Sequence, residues 1–384
     1  MRHIFRGVTC FIFAAIVANI AVAQDDFSTS PKLNNGKKWR IGYYESGEYF
    51  IYQKTLIGLV NGLSGLGWLS SDSIPTQKGE QTIELWNWLA DNVKSDYVEF
   101  IKDAHYTAQW NDQLRPQIAA KIIDRLKNTK DIDLMIAMGT WAGQDLANDE
   151  HSTPVIVMGT SDAVAAHIIA STEDSGRDHI HARVDPSRFE RQVSIFHDII
   201  GFQTLGIAYE DTVDGRSYAA IDRIEKIAQE QGVEIKRCFL KNLGNPTEEE
   251  QLIQSCFAEL SQKVQAIYVT VYTGITKNSL PKLVEIANAA KIPTFSQAGS
   301  EEVEYGLLMS ISQAGFKYIG DFEATVLAKV FNGAKPRQIG QLFEEPPRIA
   351  INLKTAEIIG FDPPVDVLGA ADEIYQEIKI PASE

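Results

Sequence analysis

Short, continuously apolar runs alternate with amphipathic helical segments along this chain, and the alternation restarts halfway. The first block places strands at Ile41–Tyr44, Tyr97–Ile101, Leu134–Met138 and Val155–Met158. Each is followed by a helix, the first carrying Leu56, Leu59, Val60 and Leu63 on one face, the second Ile118, Ile122 and Leu126. The second block places strands at Leu205–Tyr209, Val233–Leu240, Ala266–Val271 and Pro293–Ser296, with a helix on Ile221, Ile224 and Ile227. Strands that are apolar throughout, rather than at every second residue, fit parallel sheets covered on both faces. Alternation with helices means βαβ units and right-handed crossovers. The expected class is α/β, with two doubly wound parallel-sheet lobes joined by a hinge near His179–Pro186. Residues 69–96 stand outside the pattern and carry an extra helix, Glu80–Val93, with Trp86 and Trp88.

Of 384 residues, 44% are apolar, enough to fill two cores. Lys and Arg number 36 against 51 Asp and Glu, a net charge of −15. That balance argues against nucleic acid and anionic lipid surfaces as partners, since both need a basic footprint. Arg2 and Arg6, the apolar run Cys10–Val22 and the small-residue motif Ala21-Val22-Ala23 make residues 1–23 a secretory signal peptide. The run is too short to span a bilayer, and no later run reaches 18 apolar residues. The mature protein is therefore expected to be soluble in the bacterial periplasm, beginning with a flexible polar lead-in over 24–38. Cleavage leaves Cys238 on a strand and Cys256 on the following helix. A helix packed on its preceding strand can bring the pair into a disulfide in an oxidising compartment; two buried, small apolar side chains are the alternative.

Motifs for catalysis are missing from the sequence: no Walker loop, G-x-G-x-x-G, H-E-x-x-H, C-x-x-C or nucleophile elbow. His179-x-His181 reads as a solvated connection rather than a metal site, and no cofactor is implied. The strand ends are more informative, because ligands of open α/β sheets sit beyond the carboxyl ends of the strands. Those ends carry Glu45-Ser46-Gly47, Gly139-Thr140-Trp141, Gly159-Thr160-Ser161-Asp162, Glu210-Asp211-Thr212 and Tyr272-Thr273-Gly274, with Ser217 at a helix start just beyond the fourth. Hydroxyls beside free N–H groups suit a carboxylate; plain N-capping favours the same residue types. Tyr44, Tyr49, Phe50, Trp141 and Tyr272 either wall one cleft or pack in cores. Thr140 and Ser161 are expected to hold a ligand carboxylate. Glu45 is expected to meet a ligand ammonium, its alternative being a solvated loop carboxylate.

The order of several segments resembles a known family: Ile41–Glu45, Gly58–Trp68, Asp133–Ala142, Pro154–Ala163, Val264–Val271, Gly306–Leu308, and Ala350–Gly360 with Pro363-Pro364. Over residues 39–375 the chain resembles the substrate-binding proteins of bacterial ABC importers, in the group that includes tryptophan- and tyrosine-type binding proteins with the type I periplasmic-binding fold. It departs from the usual pattern at the extra helix, at Thr140-Trp141-Ala142-Gly143 and at Asp211–Ser217.

The resemblance implies a monomer whose chain crosses between lobes more than once. Lobe 1 is expected over 39–182 plus 306–338, and lobe 2 over 183–305 plus 339–384. It also implies a solute receptor that is not an enzyme, presenting a small carboxylate-bearing ligand, such as an amino acid, to an ABC permease. The alternative is a sensory subunit that reports the same ligand to a membrane kinase or cyclase, with the Trp86–Trp88 helix as its docking surface. The expected ligand contacts are Glu45, Thr140, Trp141, Ser161, Asp162, Ser217, Tyr272 and Thr273.

Overall fold

The structure is a computed structural model that describes residues 27–70, 73–312, 316–344 and 348–381. The expected signal peptide lies outside the described residues. The first sheet contains β1 (Trp39–Glu45), β2 (Val98–Thr107), β3 (Leu134–Met138), β4 (Val155–Met158) and β5 (Ile180–Ala182). Their order is β2-β1-β3-β4-β5, parallel throughout. The second sheet holds β6 (Thr204–Glu210), β7 (Glu234–Leu240), β8 (Ala266–Val269), β9 (Thr294–Ser296), β10 (Met309–Ser312), β11 (Arg348–Asn352) and β12 (Ala371–Tyr375). It runs β12-β11-β10-β9-β8-β6-β7, and β10 with β11 is its antiparallel pair. The architecture is thus two doubly wound α/β lobes.

The inner strands, such as β3, β4 and β8, are buried on both faces, which is why they read as apolar throughout, whereas the edge strands β2, β7 and β12 keep exposed polar residues. Ile41, Tyr43, Leu134 and Ile136 enter one core of the first lobe, while Tyr44, Met135 and Ala137 enter the other. In the second lobe Leu205, Ile207 and Tyr209 face one core and Ala208 the other.

After β10 the chain returns to the first lobe as the helix Lys317–Phe331, which crosses the helix Phe50–Gly65. The contact is backbone on backbone. A Cβ at Gly320 would stand 2.2 Å from the Gly58 carbonyl oxygen, and one at Gly62 would stand 2.6 Å from the Gly320 carbonyl oxygen. Only glycine permits that approach.

Several expectations change. The second crossing was expected at residue 306, but the chain stays in the second lobe through β10, because Met309 and Ser310 pair with Phe295 and Ser296. β4 is followed by turns rather than a helix, with the Asp162 carboxylate accepting from the Val164 and Ala165 amides. The described part of the lead-in is fastened rather than loose: the Trp68 and Trp39 indoles donate to the Thr29 and Lys32 carbonyls, both at 2.8 Å. His179 and His181 are buried at the crossing rather than solvated. There Val184 pairs with Leu342, and Arg183 lies 3.4 Å from the fully buried Glu323.

Cys238 and Cys256 are joined as a disulfide, their Cα atoms 5.7 Å apart. The extra helix, Ile83–Asn92, points Trp86 inward. That indole is fully buried between Tyr43 and Phe100 and donates to the Ile101 carbonyl, so it is core and not a docking surface. No helix among the described residues is long and apolar enough to cross a membrane.

Candidate functional site

The carboxyl ends of β1 to β4 in one lobe face those of β6 to β8 in the other, and the space between them is a cavity of about 550 Å³. Ligand pockets for small organic molecules run from about 300 to 1,000 Å³. The first lobe contributes Tyr49, Tyr52, Trp110, Thr140, Trp141 and Ser161 to its wall, and the second contributes Glu210, Asp214, Tyr218, Lys241, Tyr272 and Thr273.

Local backbone geometry sets each group in place. Gly139 takes φ +92° at the end of β3, and a Cβ there would meet the Tyr52 hydroxyl at 2.1 Å. The turn starts a helix, Thr140–Leu146, whose first two side chains face the cavity. Trp141 packs edge-on against Trp110, with ring centres 5.5 Å apart, and the Arg115 guanidinium lies 4.8 Å from its ring centre. Arg115 is itself held by Asp145 at 3.0 Å and Gln144 at 2.8 Å, and the Tyr44 hydroxyl donates to that same Asp145. Tyr44 therefore supports the wall from behind instead of lining it. The side chain of Phe50 lies outside the described residues.

Five of the expected contacts converge on the cavity: Thr140, Trp141, Ser161, Tyr272 and Thr273. Among the described residues the Thr140 and Ser161 hydroxyls have no hydrogen-bond partner, so both can bind a ligand. The Thr273 hydroxyl donates to Glu249 at 2.6 Å and the Tyr272 hydroxyl to the Lys241 carbonyl at 2.8 Å, which fixes both side chains from the rear.

Three expected contacts do not line the cavity. Glu45 is neither a cleft group nor a solvated one. It is 2% exposed inside the first lobe and accepts from the Tyr43 hydroxyl at 3.0 Å and the Thr82 hydroxyl at 2.5 Å. Burial raises its pKa to about 7. Thr82 immediately precedes the extra helix and also hydrogen-bonds His105, so Glu45 anchors that insertion to the sheet. Asp162 fastens its own turn. Ser217 is buried and donates to the Asp162 carbonyl across the lobes at 3.0 Å.

Further contacts hold the lobes together around the cavity. Asp214 accepts from Gln144 at 2.7 Å and lies 3.4 Å from Arg115. Asn242 donates to the Trp110 carbonyl at 3.3 Å, and Lys54 pairs with Glu301. The conformation is closed, with the two walls in register.

Sequence reasoning assigned no role to Tyr52, Trp110, Glu210, Asp214, Tyr218 or Lys241. Glu210 stood in a strand-end motif, and that was its only signal. Trp110 was hidden because β2 runs on to Thr107 through an irregular register, so its carboxyl end lies well beyond Ile101.

A comparison with curated proteins finds no match. Solved structures share the fold. A conserved domain protein from Vibrio cholerae superposes with a TM-score of 0.68 at 20% identity, covering 88% of this chain and all of its own. An ABC domain from Streptococcus pneumoniae in complex with L-Trp gives 0.67 at 20% identity, covering 88% and 99%. A ligand-free, open substrate binding protein with adhesive properties from Clostridium difficile gives 0.58 at 19% identity, covering 88% and 100%. The family model for ABC transporter substrate binding protein matches residues 84–375, most of both lobes and the walls they set against each other. With a cavity between two doubly wound lobes and that match along most of its length, the chain belongs to the ABC transporter substrate-binding protein family.

Proposed function

We propose that this protein is the periplasmic solute receptor of an ABC importer. It captures a small carboxylate-bearing ligand, an amino acid or a close analogue, in the cavity between its lobes. The observation that carries this reading is the two-sided wall: aromatic rings from both lobes enclose a space of about 550 Å³ with two unengaged hydroxyls, Thr140 and Ser161, on one side. Rings supply apolar contact area, and a few polar groups set orientation. The ligand carboxylate sits against Thr140 and Ser161, and its body lies along Trp141 and Trp110.

A ligand that touches both walls stabilises the closed arrangement over the open one, and a permease reads the closed arrangement. The sensory alternative loses Trp86 as a docking group, since that indole lies in the core. The experiment is mass spectrometry of whatever co-purifies with the protein, followed by calorimetry with the identified compound. A small carboxylate bound one to one is expected. A ligand without a carboxylate, or turnover of the ligand on incubation, overturns the reading.

A further inference from the structure

We infer that the solute carries a second acidic group, seated against Arg183 in a recess beside the lobe crossing, so that the protein selects diacids over monoacids. This rests on the proposed reading of the cavity as the solute site and adds a group that an ordinary amino acid lacks. The recess measures about 40 Å³ and shares Tyr49, Ile51, Gly159, Ser161 and Val271 with the main cavity, so the two adjoin. A water needs about 10–15 Å³ of such space, and the recess therefore takes one small group and no ring.

Its charge is opposite to that of the main wall. Asp112, Glu210 and Asp214 line the main cavity, and none of them lines the recess. Among the described residues two arginines, Arg183 and Arg188, line the recess and no carboxylate does. Arg188 begins the helix Arg188–Ile200 and donates to the Gln297 carbonyl at 3.3 Å.

Arg183 has donors to spare. Its side chain is 10% exposed, at the point where the chain first crosses between the lobes. Glu323 lies 3.4 Å from its Nε, out of line for a hydrogen bond. The other donors of the guanidinium have no hydrogen-bond acceptor among the described residues. Burial pushes the Glu323 carboxyl up to about 7, so its charge offsets that of Arg183 only in part. The Thr160 hydroxyl, also on the recess, is buried and without a partner among the described residues. A buried guanidinium with unused N–H groups is costly, and a carboxylate offers two acceptors that match its fork.

The position fits the reading of the main site. Ser161 borders both spaces. With one carboxylate on Thr140 and Ser161, a second on a short tether enters the recess beside it. Thr160 belongs to the first lobe, Arg188 to the second and Arg183 to the crossing between them. Closure of the lobes therefore assembles the recess around the second group.

The test is calorimetry on the full protein, freed of co-purified ligand, with matched pairs of compounds. The pairs are L-aspartate with L-asparagine, L-glutamate with L-glutamine, and 4-carboxy-L-phenylalanine with 4-carbamoyl-L-phenylalanine. Each amide keeps the shape of its partner and loses one charge. In any pair that binds, the diacid is expected to bind at least tenfold more tightly than the amide. Arg183→Gln is expected to remove that preference by weakening the diacid tenfold or more. Arg183→Gln combined with Glu323→Gln leaves a neutral pair at the crossing and is expected to lose the preference equally.

An amide that matches its diacid on the wild-type protein overturns the inference and leaves the solute-site reading standing, and this arm needs no variant to fold. Retention of the preference in both variants overturns the assignment to Arg183. Absence of binding by every compound overturns the proposed amino-acid-type ligand itself, and the inference falls with it.

Discussion

Ser217, on the second lobe, donates its hydroxyl to the main-chain carbonyl of Asp162, on the first, over 3.0 Å. Both residues are buried, and the bond joins two strand-end loops that lie far apart in the chain. It belongs to the closed conformation, so removing it acts on closure. A buried hydrogen bond contributes about 0.5–1.5 kcal/mol net. Ser217→Ala is expected to weaken ligand affinity about threefold to tenfold and to shift the ligand-free protein toward an open form. Small-angle scattering should show a larger radius of gyration, and an unchanged radius with unchanged affinity would contradict the latch.

Thr140 and Ser161 present hydroxyls with no partner among the described residues. Hydrogen bonds to charged groups are worth about 1.5–3 kcal/mol. Thr140→Val should therefore weaken binding by roughly an order of magnitude in calorimetry, and Ser161→Ala by a similar factor. Neither should lower the melting temperature appreciably, since neither hydroxyl supports the fold. Full affinity in both variants would place the carboxylate elsewhere.

Trp141 and Trp110 meet edge-to-face in the cavity wall, with Arg115 against the Trp141 ring. A bound ligand changes the surroundings of both indoles. Trp141→Ala should remove most of the ligand-induced fluorescence change, and adding Trp110→Phe should remove nearly all the rest. A full signal in the double variant would mean that the reporting indoles lie outside the cavity.

Glu45 and Glu302 are buried carboxyls with pKa values raised to about 7, in both cases chiefly by burial. Glu302 also accepts from the Ser296 hydroxyl at 2.6 Å. Because the folded state binds these protons more tightly than the unfolded state, their stabilising contribution is whole below about pH 4.5. It is lost as pH rises through about 7, by at most about 3 kcal/mol per group. Thermal unfolding followed from pH 5 to pH 8 should show this decline, and Glu302→Gln should flatten part of it. An identical pH profile for that variant would show that Glu302 titrates normally.

Gly320 lies where two helices touch through their backbones. Gly320→Ala places a methyl group within 2.2 Å of the Gly58 carbonyl oxygen and forces the helices apart. Overpacking of this kind costs about 1–3 kcal/mol. The variant should melt several degrees lower, and a melting temperature within one degree of wild type would mean that the crossing relaxes freely.

Much of the architecture was legible in the chain itself. Apolar runs such as Leu134–Met138 and Ala266–Val269 declare parallel strands, because a strand covered on both faces has no polar side to show. The restart at Leu205 declares the second lobe. That Thr140, Trp141, Ser161, Tyr272 and Thr273 converge on one cavity was legible because the ends of parallel strands point to one side of a sheet, a property of βαβ handedness rather than of any particular neighbour.

What remained was decided between elements distant in sequence. Whether Glu45 meets ligand or protein depends on Thr82, whose helix is inserted between β1 and β2. Whether Met309–Ser312 belongs to one lobe or the other depends on pairing with β9 and β11, and four apolar-rich residues read the same either way. Ser217 became a latch because closure brought the Asp162 carbonyl within reach. Arg183 stands out only once its surroundings are assembled: the crossing buries it beside Glu323, and Thr160 and Arg188 from the two lobes close a recess around it. Local sequence sets period and strand direction, whereas desolvation and charge pairing depend on what tertiary packing places opposite each group.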